Sequence, residues 1–156
     1  MTTSRPVWRI MQPPRVVEQD VFARFLDWEV QKATRLSYCV SVVSMELGEG
    51  SRGPHGSLTA LADDMAARVR ATDLVAVIPP RFLAFLLVDA PTTSLRSILG
   101  RLSSETGLSE TETAWSAGAS SYPATAQRTG DLLQQATELM TRAAADGGNR
   151  LYLPSP

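Results

Sequence analysis

The 156-residue chain holds one cysteine and one histidine, and each scarcity closes a class of function. A lone Cys39 excludes an intrachain disulfide framework, and no companion ligands for a zinc site accompany it; amid Tyr38, Val40 and Val42 it reads as a small buried hydrophobe. The single histidine, His55, sits in a glycine-rich loop with no carboxylate close in sequence, so no Ser/His/Asp constellation can be assembled. Neither sign of charge is in excess: 15 basic and 16 acidic residues leave a net charge of −1, which gives no global case for nucleic acid or an anionic membrane. No apolar run reaches membrane-spanning length, no signal-peptide pattern opens the sequence, and the expectation is a cytoplasmic protein. No glycine-rich phosphate loop precedes a helix. Trp8, Trp28 and Trp115 are three isolated tryptophans that read as core or arm-docking residues, not stacking platforms for bases.

What is present fits one domain with an adequate core, at 44% hydrophobic and 20% charged residues. Residues 1–17 carry Pro6, Pro13 and Pro14 around Trp8 and read as an irregular arm, and residues 18–153 as the domain. Helical spacing of Val21, Phe22, Phe25, Trp28, Val30 and Ala33 predicts a helix over 20–36. Tyr38 to Leu47 reads as a buried strand and Gly48 to Ser57 as a loop. Leu58, Leu61, Ala62, Met65 and Val69 share a helical face that ends near Arg70. Two apolar runs, Leu74–Ile78 and Phe82–Val88, flank Pro79-Pro80-Arg81 and predict a hairpin. Leu95, Ile98, Leu99 and Leu102 give a third helix, Thr113 to Tyr122 a strand, Asp131 to Ala145 a fourth helix, and Leu151–Leu153 a last short strand. The predicted class is α/β (α+β), with a central mixed five-stranded sheet flanked by helices. The acids of Asp63-Asp64 and of the Thr111–Thr113 stretch have no base or metal partner in view and read as solvated faces.

Three stretches, read in order, resemble the GGDEF domain of bacterial diguanylate cyclases. Leu58-x-x-Leu61-Ala62-x-x-Met65 followed by Val69-Arg70-Ala71-Thr72-Asp73-Leu74-Val75-Ala76 is similar to the family's helix running into Arg-x-x-Asp before its signature hairpin. Ser116-Ala117-Gly118-Ala119-Ser120 is similar to its Ser-Ile-Gly-Val-Ala strand. Leu132-Leu133-x-x-Ala136 with Gly147 and Asn149-Arg150 is similar to its closing helix and Gly-x-Asn-Arg turn. The resemblance implies the family's nucleotidyl-cyclase-like fold over roughly residues 20–153.

The departures fall on the chemistry. The family's Gly-Gly-Asp/Glu-Glu-Phe tip is replaced by Pro79-Pro80-Arg81-Phe82-Leu83. Proline lacks an N–H, and an arginine repels the metal ions that phosphoryl transfer needs. Glu46-Leu47-Gly48 keeps at most one carboxylate of the family's Asp-x-Asp. The loop that follows is too short for the guanine-recognising segment. Ala144 and Gly148 stand where a lysine and an arginine serve the phosphates, and Pro13-Pro14-Arg15-Val16 replaces the stretch before the first helix. The expectation is therefore no enzyme: no catalytic residue, no metal and no cofactor.

What survives is Arg70 and Asp73, matching the family's inhibitory Arg-x-x-Asp site for cyclic di-GMP, with Arg101 at the position of its assisting arginine. An arginine fork can bond a guanine O6/N7 edge or a phosphate, while a carboxylate accepts from N1–H and N2–H₂. The implied function is a catalytically inactive cyclic di-GMP receptor that signals through an unidentified protein partner, with a ligand-bridged dimer in prospect and no nucleic acid or membrane partner. The alternative is a nucleotide-independent interaction module, in which Asp73 only orients the turn, Arg70 is a helix-end cation, and the Pro79–Phe82 tip and Trp8 arm are contact surfaces.

Overall fold

The computed structural model describes residues 16–48, 51, 53–79, 82–110 and 114–154. Trp8 and the rest of 1–15, Pro80-Arg81 at the hairpin tip and the 111–113 stretch lie outside the described residues. The order is β1 (Val16–Val17), α1 (Gln19–Leu36), β2 (Val40–Leu47), α2 (Leu58–Ala66), β3 (Leu74–Ile78), β4 (Phe82–Val88), a 3₁₀ turn (Thr92–Ser94), α3 (Leu95–Glu105), a second 3₁₀ turn (Leu108–Glu110), β5 (Trp115–Tyr122), α4 (Thr129–Ala145) and β6 (Arg150–Tyr152). The strands form one mixed sheet in the order β1-β3-β4-β2-β5-β6. The hairpin pairs antiparallel with Ile78 opposite Phe82, and β2 lies antiparallel to both β4 and β5. The sheet has six strands, not five, because Val16 and Val17 leave the arm to pair parallel with Val75 and Ala76. Two residues are too few to carry a periodic signal in sequence.

Helices cover both faces, which is why the central strands read as unbroken apolar runs. One face packs Val43, Met45, Val75, Leu83 and Phe85 against Leu61 and Met65 of α2 and Leu95, Leu99 and Leu102 of α3. The other packs Val40, Val42, Ala84 and Leu86 against Phe22, Leu26 and Val30 of α1 and Leu132 and Ala136 of α4. Ser57 caps α2, its hydroxyl accepting from the Ala60 N–H at 3.1 Å. Gly118 in β5 lets α4 approach; a Cβ there would sit 2.2 Å from the Ala136 carbonyl oxygen.

Two sequence readings change. Trp28 is not core: it is 52% exposed on the outer side of α1, because Leu26 and Val30 take the inward stripe and Phe25 meets its ring edge-on. Cys39 is half-buried and precedes β2 instead of lying within it. Phe82, the one described side chain of the Arg81-Phe82 pair at the tip, is partly buried against the α1/α4 core. Among the described residues, no helix is long and apolar enough to cross a membrane.

Candidate functional site

Two places on the fold bear on function. The first lies where β2 ends and β5 begins, beside the C-terminus of α4. Glu46 stands in register with Phe82 on one side and Ser116 on the other. A cleft of about 430 Å³ opens there, lined by Glu46, Gly48, Ala114, Ser116, Ala144 and Gly148 among others. The family resemblance assigns Glu46, Ala144 and Gly148 separately to the positions of metal and phosphate handling, and the fold brings all three to one cleft. Among the described residues that line it, Glu46 is the one with an ionisable side chain. Burial pushes its carboxyl above the ordinary range, the direction of a carboxylate with no cation to favour its charge. Among the described residues, no group of three or more His, Cys, Asp or Glu side chains is placed to hold a metal ion.

The second place is the α2–β3 corner. Asp73 is 3% exposed, and both of its oxygens point into the backbone. Oδ2 accepts from the Arg70 N–H at 3.1 Å and Oδ1 from the Val88 N–H at 2.9 Å, so the carboxylate ties the corner to the end of β4. The Arg70 Nε lies 3.5 Å from Oδ2, and its Nη2 donates to the Val88 carbonyl. The rest of the Arg70 side chain faces outward, at 58% exposure.

Arg101 reaches the same corner from α3. Its Nη1 donates to the Arg68 carbonyl at 3.1 Å, two residues before Arg70, and lies 3.5 Å from a Glu105 oxygen. The structure thus brings Arg70, Asp73 and Arg101 to one edge, with two half-exposed guanidinium groups and one buried carboxylate.

A chain of charges continues from this edge. Glu105 also meets Arg68 at 3.3 Å, and Arg68 Nε donates to Asp64 at 2.8 Å. The other Asp64 oxygen lies 2.8 Å from His55 Nε2. The bond from Arg68, ahead of that to His55, holds the Asp64 carboxyl below its usual range. His55 and Asp64, read from sequence as unpartnered, therefore have each other. The loop folds back nine residues to α2, a contact no short-range pattern reports.

No protein-family model and no curated protein matches the sequence. Solved structures do match in fold. The GGDEF domain alone of TpbB (YfiN) from Pseudomonas aeruginosa superposes with a TM-score of 0.77 at 19% identity, covering 90% of this chain and 91% of that one. The active GGEEF domain of a diguanylate cyclase from Vibrio cholerae gives 0.75 at 13% identity, covering 92% and 99%. A microbial GGDEF domain described for its mode of interaction with cyclic di-GMP gives 0.71 at 16% identity, covering 88% and 91%. The chain is an α/β domain with the fold of the GGDEF domains of diguanylate cyclases.

Proposed function

We propose that this chain is a non-catalytic domain of the GGDEF fold that binds cyclic di-GMP at the Arg70–Asp73–Arg101 edge and signals through contact with a protein partner. The observation that carries the reading is the bond from Arg101 to the Arg68 carbonyl, two residues before the half-exposed Arg70, which sets α3 against the α2–β3 corner. Two half-exposed guanidinium groups on neighbouring elements suit a ligand that offers phosphates and guanine O6/N7 acceptors together. Asp73 then acts as a strut that fixes the backbone from which Arg70 projects. A ligand of two guanines could bridge two protomers through this edge.

The cleft at Glu46 supports the non-catalytic half of the proposal. Phosphoryl transfer needs positioned metal ions and cationic groups on the phosphates. Here Ala144 and Gly148 line the cleft, and Glu46, the one carboxylate among its described lining residues, has its ionisation disfavoured by burial.

A second reading, a nucleotide-independent interaction module, is favoured by one observation: both Asp73 oxygens are already occupied by backbone amides. Its contact surface would be the outer side of α1, where Trp28 and Leu36 are the exposed large hydrophobic residues among those described.

Calorimetric titration of cyclic di-GMP into the protein, Arg70→Ala and Arg101→Ala separates the two. The receptor reading expects wild-type binding that weakens about tenfold or more in each variant, the scale of one charged hydrogen bond. Absence of binding at high ligand, or affinity equal in all three proteins, would leave the interaction module. Arginine variants serve better than Asp73 variants, because removing Asp73 strands two backbone amides and perturbs the fold itself.

A further inference from the structure

With Asp73 turned inward, the receptor reading lacks an accessible acceptor for the guanine N1–H and N2–H₂. The bonds that occupy Asp73 and Arg70 converge on Val88, whose N–H goes to Asp73 and whose carbonyl takes Arg70 Nη2. The next residue in the chain is Asp89. Its own N–H donates to the Cys39 carbonyl at 2.8 Å, so the backbone is held on both sides. Its φ of 55° lies in the left-handed region, which aspartate tolerates better than most side chains. The side chain is exposed, and among the described residues its carboxylate has no hydrogen-bond or ion-pair partner. The Cys39 thiol lies within electrostatic reach of both the Asp89 carboxylate and the Arg70 guanidinium. The other exposed carboxylate at this edge, Glu105, is already shared between Arg68 and Arg101.

We propose that Asp89, not Asp73, supplies the carboxylate that reads the guanine base beside Arg70, an assignment that rests on the receptor reading above. A carboxylate is acceptor-only and takes N1–H and N2–H₂ together, while the arginine fork takes the O6/N7 edge or a phosphate. Hypoxanthine keeps N1–H but lacks the 2-amino group, and adenine offers no N1–H. The Arg-x-x-Asp pair then serves as a scaffold, fastening Val88 so that Asp89 is presented to solvent at the required place.

The test is a set of titrations on the full chain with cyclic di-GMP, cyclic di-IMP and cyclic di-AMP, repeated on Asp89→Gly. Glycine suits a φ of 55° and removes the side chain without backbone strain, and an unchanged melting temperature checks that the corner is intact. Wild-type protein is expected to prefer cyclic di-GMP over cyclic di-IMP by about tenfold, one charged hydrogen bond, and over cyclic di-AMP by more. In Asp89→Gly the cyclic di-GMP to cyclic di-IMP ratio should fall toward one while arginine-dependent binding persists. A ratio that survives in Asp89→Gly overturns the assignment and leaves the receptor reading standing. No wild-type binding of cyclic di-GMP overturns the receptor reading, and the assignment falls with it.

Discussion

Three carboxylates on this fold have three different environments, and each makes a distinct prediction. Asp73 accepts two backbone N–H groups while almost wholly buried. Asp73→Ala should therefore lower stability by about 1–3 kcal/mol for each amide left without a partner, read as a drop in the urea midpoint. Asp64, held low chiefly by its bond from Arg68, contributes stability above its unfolded value near pH 4, and loses it as pH falls through the lower folded pKa. Asp64→Asn should then flatten the acid limb of the stability curve and leave its shape near neutrality unchanged. Glu46 has the opposite sign. Its folded pKa is raised by burial, so its ionisation costs stability once pH rises past the unfolded value. Glu46→Gln should raise the melting temperature at pH 7 and have no effect below the unfolded pKa; a loss of stability at pH 7 would mean that the charge has an unrecognised partner.

At the scale of elements, the sequence was legible wherever a pattern was local and apolar. The hairpin Leu74–Ile78 and Phe82–Val88 forms over the bounds its two runs predict, since strands buried on both faces need no alternation to be recognised. Helix α4 begins at Thr129, two residues before Asp131, the ordinary ambiguity of a helix end. The missed strand β1 is two residues long and owes its existence to β3, a partner far along the chain. The site divides in the same way. Arg70, Asp73 and Arg101 were legible as a set, and the fold gathers them. That Asp73 faces inward and Asp89 outward was not, because residue type and spacing carry no information about which oxygen meets which amide. Gly118 gives the sharpest test of an element contact. Its missing Cβ leaves room for the Ala136 carbonyl and the Met140 N–H of α4, so Gly118→Ala should destabilise by about 3 kcal/mol through forced separation of α4 from β5. A thermal melt within about a degree of wild type would show that α4 does not rest on that strand.

For the whole molecule, the fold is that of a diguanylate cyclase GGDEF domain, and the proposed reading keeps that frame while giving up its chemistry at the cleft. The sheet, the flanking helices and the Arg-x-x-Asp corner belong to one packed unit, held by the two apolar cores on either face of the sheet. A cleft with one acid and no cation among its described lining residues is therefore compatible with the proposed ligand edge on another part of the surface. The most direct measurement of this central claim is incubation of the purified protein with GTP and either Mg²⁺ or Mn²⁺, followed by chromatography for cyclic di-GMP. No product above that of a heat-inactivated control is expected, even at protein concentrations where two copies can meet. Accumulation of cyclic di-GMP in proportion to protein would contradict the claim, and would mean that Glu46 and its surroundings support the reaction with an unrecognised set of ligands.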